Sequence, residues 1–135
     1  MYLLDANACI RILNNTSPAL VARIREHSPS EIRLCSVVKA ELYYGARHSS
    51  QPAKNLRLLS DFFLPFRTHT FDDNCAEHYG TIRNELSRAG KLIGPNDLMI
   101  AATAIANDLI LITHNTDEFS RVVGLRWEDW EAPGS

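Results

Sequence analysis

Short apolar runs alternate with longer segments of helical periodicity along almost the whole chain. This pattern predicts strands at 2–4, 32–35, 109–113 and 125–127, with a further strand inside 64–70. Strands that alternate with helices favour right-handed β-α-β crossovers, and such crossovers produce a parallel sheet. The pattern therefore predicts an α/β fold in which the carboxyl ends of the strands meet at one edge.

Helices are predicted between these strands from apolar residues at helical spacing. Ser36 is expected to cap one of them, and Pro95 stands in the first turn of another, where proline is favoured. The predicted helices cover 7–13, a segment from Pro18, 37–46, a segment ending near Phe63, 72–89 and 96–107. The last residues, 131–135, are expected to be loose.

The composition limits the class of protein. A chain of 135 residues with 45% apolar and 22% charged residues is typical of one globular domain, which we place at 1–135. The net charge of −2 excludes a uniformly basic DNA-coating protein but allows a local basic patch. No signal peptide or membrane-spanning run is recognisable, and the three cysteines are few and widely spaced, so we expect a cytoplasmic protein with no membrane partner.

Asp5 directly follows the first apolar run and precedes a predicted helix. Ligands of open α/β sheets bind beyond the carboxyl ends of the strands, and Asp5, Ser36 and Thr113 all occupy such ends. Two interpretations of Asp5 stay open at this point, because a lone acid there is either an N-cap or a functional carboxylate.

Two further acids lie on apolar helix faces. Glu41 shares a face with Val37 and Val38, so its carboxylate must have a buried arginine partner, a shifted pKa or a function. Asp97 stands in a first turn, where an acid compensates the helix dipole, but it shares the inward face with Ile100.

Polar residues after the last strong strand extend this set, namely Asn115 and the acids Asp117 and Glu118. Carboxylates that converge on one edge repel one another unless a cation is present, and all-oxygen ligands suit Mg²⁺ or Mn²⁺. Such a site activates water and stabilises charge on a phosphodiester, as in metal-dependent nucleases. The chain has neither a nucleophile elbow nor a P-loop, and its histidines have no mutual metal-ligand spacing.

Several stretches together resemble the PIN-domain toxins of bacterial VapBC toxin–antitoxin modules. They are 3–7 (LLDAN), 36–45 (SVVKAELYYG), 93–102 (IGPNDLMIAA), 112–119 (ITHNTDEF) and the closing 124–130 (GLRWEDW). The similarity runs in order over essentially the whole chain. It implies a PIN-like three-layer α/β/α sandwich with a mostly parallel central sheet of about four to five strands.

The resemblance also implies an activity, that of an endoribonuclease that uses Mg²⁺, or Mn²⁺ in its place, to cut structured RNA such as tRNA. By the family pattern, Asp5, Glu41 and Asp97 occupy the core acidic positions. The fourth position stays open among Asn115, Asp117 and Glu118. Asn115 matches the slot after the last strand and is the expected fourth metal ligand, Glu118 matches a further acid of the catalytic set, and Asp117 occupies a position that varies. The family further implies a homodimer and a VapB-like antitoxin that blocks the acidic pocket and alone brings the complex to operator DNA.

One departure and two alternatives accompany this interpretation. Ala6 stands where the family usually has threonine, which removes a hydroxyl beside the site. A phosphoryl-transfer enzyme of the haloacid-dehalogenase type also uses an acid after its first strand, although Asn7 replaces the second acid of that motif. A PIN-type binding module without catalysis is the other alternative. The basic residues considered for RNA phosphates are Arg11, Lys39, Arg47, Arg83, Arg88 and Lys91.

Overall fold

A parallel sheet forms the centre of the molecule, for which the computed structural model describes residues 1–132. The strands are β1 (Tyr2–Leu4), β2 (Ile32–Cys35), β3 (Arg67–His69), β4 (Ile110–Ile112) and β5 (Trp127–Glu128). Their order across the sheet is β3-β2-β1-β4-β5, and every neighbouring pair is parallel. The predicted α/β class and the parallel sheet are thereby confirmed.

Helices connect the strands and cover both faces of the sheet. They are α1 (Ala6–Asn14), α2 (Pro18–Arg25), α3 (Ser36–Arg47), α4 (Pro52–Phe63), α5 (Asp73–Arg88), α6 (Pro95–Ala106) and the short α7 (Thr116–Phe119). Right-handed crossovers put α1 to α4 on one face and α5 with α6 on the other, and α3 packs on α1 and α4 as α5 packs on α6. This is the three-layer arrangement that the resemblance implied.

The core lies on both sides of the central strand β1. Leu3 and Leu4 point to opposite faces, and both are completely buried, as expected for a parallel strand covered by helices. The predicted burial of α6 is confirmed by Leu98, Ile100 and Ala101, which are at most 2% exposed. The carboxyl ends of β1, β2 and β4 therefore rest on a rigid base.

Two local predictions are wrong, and one short helix was not predicted. Ser36 is the first residue of α3 and not its cap, because Cys35 precedes it in extended conformation without a side-chain capping bond. The last strand begins at Trp127, later than predicted. Residues 116–119 form α7, which is too short to produce a helical period in the sequence.

Within residues 1–132, no helix is long and apolar enough to cross a lipid bilayer. The predicted loose tail is only partly tested, since 133–135 lie outside the described residues. Glu131, at the start of that tail, is held by an ion pair with Arg11 at 2.8 Å, so the prediction is wrong there.

Candidate acidic metal site

Asp5 lies at the carboxyl end of β1 and is only 4% exposed. Its Oδ1 accepts a hydrogen bond from the backbone N–H of Ala8 at 2.8 Å, so it does cap α1. Burial raises the pKa of Asp5 above its usual range, while hydrogen bonds from the Thr113 hydroxyl and from Ala8, and the charge of Arg11, oppose that rise. Both interpretations of Asp5 are therefore compatible, because the capping bond occupies one carboxylate oxygen.

Glu41 reaches towards the same edge from α3. Its Oε1 is shielded from solvent and has no hydrogen-bond partner. Burial raises the pKa of Glu41, and the nearby charge of Asp5 raises it further. No ion pair among residues 1–132 involves Glu41, so the arginine partner that would have made it a structural carboxylate is absent there.

Asp97 enters the site from the first turn of α6. Burial raises its pKa to about 7, and the next contributions come from Glu118, which lies within hydrogen-bonding reach of it. The charges of Glu41 and Asp5 add to the same shift. Carboxylates from the end of β1 and from α3, α6 and α7 thus lie near enough to influence one another at this edge of the sheet.

The turn after β4 determines which acid of α7 lies beside Asp97. The backbone N–H of Asn115 donates to Thr113 Oγ1 at 3.0 Å, and Asn115 Nδ2 donates to Glu118 Oε2 at 3.3 Å. Asp117 is exposed on the other side of α7. The structure therefore brings Asn115 and Glu118 to the site and leaves Asp117 in solvent, a choice that the sequence left open.

We name Asp5, Glu41, Asp97 and Glu118 the acidic site. Within residues 1–132, no three of its members bring their carboxylate oxygens within 4.8 Å of one another. A second group beside it, which we name the paired group, does so, since ligand atoms of His114, Asp129 and Glu131 lie within 4.8 Å of one another.

The paired group is satisfied by the protein itself. His114 Nδ1 lies 2.9 Å from Asp129 Oδ2, and Asp129 Oδ1 accepts from the backbone N–H of Glu131 at 3.0 Å. Arg11 Nε donates to Glu131 at 2.8 Å. Sequence reasoning missed this group, because a histidine and two acids at least 15 residues further on share no periodic pattern.

The basic side chains considered for RNA contacts are partly engaged elsewhere. Arg11 is held by Glu131, Lys39 lies 4.7 Å from the ring centroid of Phe63, and Arg83 donates to the Tyr79 hydroxyl at 2.9 Å. No described Lys or Arg forms an ion pair with a member of the acidic site. No basic side chain among the described residues therefore neutralises the acidic site through an ion pair.

Comparison with known proteins assigns the family. The PIN domain model matches residues 2–125. The tRNA(fMet)-specific endonuclease VapC of Shigella flexneri is 41% identical over 129 residues, which are 96% of this chain and 97% of that protein. Ribonuclease VapC2 of Haemophilus influenzae is 38% identical over 129 residues, again 96% of this chain and 97% of that protein.

Solved structures agree with these relatives. The structure of DNA-bound VapBC from Salmonella typhimurium contains a chain that is 36% identical with a TM-score of 0.90, over 96% of this chain and 97% of that one. The structure of VapBC2 from Rickettsia felis with a promoter DNA fragment contains one that is 33% identical with a TM-score of 0.87, over 96% and 98%. The chain therefore belongs to the PIN-domain family. Within that family it is one of the VapC proteins, which leaves the haloacid-dehalogenase alternative without support.

Proposed function

We propose that this chain is a metal-dependent endoribonuclease, the toxin of a type II toxin–antitoxin module, and that it hydrolyses phosphodiester bonds in structured RNA. The observation that carries this proposal is the acidic site, whose carboxylates come from four separate elements with no basic ion-pair partner among residues 1–132. Uncompensated charge of this kind destabilises a fold, so its presence points to a function.

The donor set fits a hard divalent cation. Asp5, Glu41, Asp97 and Asn115 would hold Mg²⁺, with Mn²⁺ as a substitute, because all of them offer oxygen atoms. Glu41 Oε1 is the strongest sign of fit, since it is buried and lacks any donor. When bound, the ion would supply an activated water at neutral pH and stabilise charge on the phosphodiester.

The remaining residues of the pocket position these ligands. The Thr113 hydroxyl fixes the carboxylate of Asp5, and the Asn115 side chain holds Glu118 beside Asp97. Glu118 is then placed to orient a water or to accept a proton at its carboxylate. Ala6 is 8% exposed beside Asp5 and offers no hydroxyl, so Thr113 is the threonine that hydrogen-bonds Asp5 in this chain.

The names of the relatives support the substrate and the partners that we propose. The Shigella flexneri relative is named a tRNA(fMet)-specific endonuclease, which favours tRNA as the substrate. The structural relatives are VapBC complexes bound to DNA, which favours a VapB-like antitoxin that carries this chain to operator DNA. We further propose a homodimer that acts in the cytoplasm.

The test combines cells and purified protein. Induction of the wild type should arrest growth, and sequencing of cellular RNA 5′ ends should reveal new cuts that Asp97→Asn abolishes. Purified protein should cut tRNA with Mg²⁺ or Mn²⁺ and stop when EDTA is added. Asp117→Asn is the matched control, because it removes an exposed acid from the same helix as Glu118. Metal-independent cleavage, or cleavage that survives Asp97→Asn, contradicts the proposal, and binding of RNA without any cleavage favours the silent binding module.

A further inference from the structure

A cavity of about 430 Å³ lies beside the acidic site, between α3 and the beginning of α6. Its lining consists of Val37, Ala40, Glu41, Tyr44, Asn96 and Met99. Glu41 belongs to both the cavity and the acidic site, so the cavity adjoins the site at this residue. Whatever occupies the cavity therefore lies beside Glu41, one of the proposed metal ligands.

Tyr44 is the unusual member of this lining. Its side chain is a large aromatic ring that is 70% exposed, on a helix that buries Val37, Val38, Leu42 and Ala46. The ring is nevertheless backed by His48, with ring centroids 5.6 Å apart and an angle of 13° between the planes. One face of Tyr44 is thus supported while the side chain as a whole stays open, which is the arrangement of a stacking surface and not of a core residue.

The cavity suits a flat, uncharged ring with polar edges. Val37 and Met99 supply apolar walls, and the Asn96 amide and the Tyr44 hydroxyl supply hydrogen-bonding groups. A phosphate would be repelled by Glu41, whereas a nucleobase carries no charge. Arg47 is exposed one turn beyond Tyr44 on α3, where a cation suits the backbone phosphate that follows such a base.

We propose that Tyr44, backed by His48, is a stacking platform for the unpaired nucleobase next to the phosphodiester that is cut. This inference rests on the proposed function, since the ligand is the same RNA. Stacking on Tyr44 would hold the adjacent phosphodiester near the cation that Glu41, one helical turn away, is proposed to bind, and would favour single-stranded loops over duplex. Recognition by stacking tolerates different bases, because every base offers a π-face.

The test is binding of a 5′-fluorescein-labelled short oligoadenylate, measured by fluorescence anisotropy with Ca²⁺ in place of Mg²⁺. Tyr44→Leu should weaken binding by about 5- to 150-fold, the range for loss of one base–aromatic stack. Tyr44→Trp should restore it, because the indole also stacks. Tyr43→Leu is the matched control, since Tyr43 is the next residue of α3 but packs edge-on against Phe63 at 5.5 Å, away from the cavity lining.

A second probe separates stacking from other effects. The second probe is an oligonucleotide of the same length with abasic sites. The wild type should bind it as weakly as Tyr44→Leu binds oligoadenylate. Tyr44→Leu should bind the abasic probe only slightly more weakly than the wild type does. The inference is overturned if the wild type and Tyr44→Leu bind oligoadenylate with equal affinity. It is also overturned if Tyr44→Leu weakens binding of the abasic probe as much as it weakens binding of oligoadenylate. Light scattering is run in parallel, and a Tyr44→Leu protein that loses self-association while it keeps its RNA affinity assigns the ring to a contact between copies and also overturns it.

Cleavage of tRNA by the wild type is measured separately, so the two proposals fail in different ways. Cleavage together with binding that ignores Tyr44 overturns only the stacking platform. Binding that depends on Tyr44 without any metal-dependent cleavage supports the platform and contradicts the proposed nuclease.

Discussion

The acidic site and the paired group lie side by side at one edge of the sheet, and they differ in whether basic side chains pair with their carboxylates. In the paired group, each carboxylate accepts hydrogen bonds from His114, from Arg11 or from the backbone. In the acidic site, Glu41 Oε1 is buried without a partner and the pKa of Asp97 is raised to about 7. The ion pair of Arg11 with Glu131 also influences Asp5, because Arg11 lowers the pKa of Asp5 and Glu131 raises it.

The difference separates carboxylates that fasten the fold from those that we propose for catalysis. The ion pair of Glu131 with Arg11 links the segment after β5 to α1, so the paired group stabilises the fold. No lysine or arginine among the described residues forms an ion pair with the acidic site, although the charge of Arg11 lowers the pKa of Asp5. Arg11 instead pairs with Glu131 at 2.8 Å.

The largest expected effect comes from removing a charge in the acidic site. Asp97→Asn and Glu41→Gln should lower RNA cleavage by more than about 100-fold, the upper end of what loss of a mere supporting contact produces. Without metal, the same variants should be more stable than the wild type by about 0.5–2 kcal/mol, because repulsion is relieved. Cleavage assays and chemical denaturation measure the two effects, and a variant that loses both activity and stability would remove the distinction between the two groups.

The paired group should respond in the opposite direction. Glu131→Gln should destabilise the protein by about 1–3 kcal/mol, because the largely buried Arg11 loses a charge-assisted hydrogen bond. The freed Arg11 should compete with the metal at Asp5, so the Mg²⁺ concentration for half-maximal cleavage should rise. Arg11→Met in the Glu131→Gln background should lower it again. If Glu131→Gln leaves both stability and the Mg²⁺ requirement unchanged, the ion pair has neither role.

The pH dependence of stability sharpens the comparison further. The pKa of Asp97 is about 7 in the folded chain against 3.8 as its ordinary value, so between these pH values the folded state binds more protons. Its contribution therefore becomes increasingly destabilising as the pH rises towards 7. In metal-free protein, the unfolding temperature of Asp97→Asn minus that of the wild type should increase from pH 5 to pH 8. A constant difference across this range contradicts the assignment, and added Mg²⁺ should reduce the increase.

The smallest expected effect comes from a glycine in a second cavity beside Glu41. Gly45 in α3 and Gly80 in α5 are both helical glycines, and a Cβ at either would meet nothing within 4 Å. Gly45→Ala and Gly80→Ala should each stabilise the protein by about 0.5–1 kcal/mol, since alanine orders a helix at lower entropic cost. Gly45 lines a second cavity that contains Glu41, one of about 300 Å³ formed by residues of α1, α3 and α4, and Gly80 does not. Only Gly45→Ala is therefore expected to weaken RNA cleavage, with Gly80→Ala as its matched control. Equal activity of the two variants would mean that the RNA does not use this space.

Much of the acidic site was predictable from the sequence, because each of its main acids differs from the residues next to it in the chain. Asp5 follows an apolar strand, Glu41 interrupts an apolar helix face, and Asp97 opens a helix that has almost no other charge. Each acid is conspicuous against its own neighbours. The roles of Ser36 and of the last strand were predicted less well, since caps and strand ends depend on hydrogen bonds that periodicity does not specify.

What the sequence determined by itself is the sheet and the convergence of acids on one of its edges. Alternating strands and helices permit few topologies once crossovers must be right-handed, and a parallel sheet brings the carboxyl ends of its strands to one edge. What only the tertiary structure decided is which charges are paired. Arg11 meets Glu131 across most of the chain, and Glu118 turns inward while Asp117 faces solvent. Such choices depend on side-chain directions that exist only after the layers have packed.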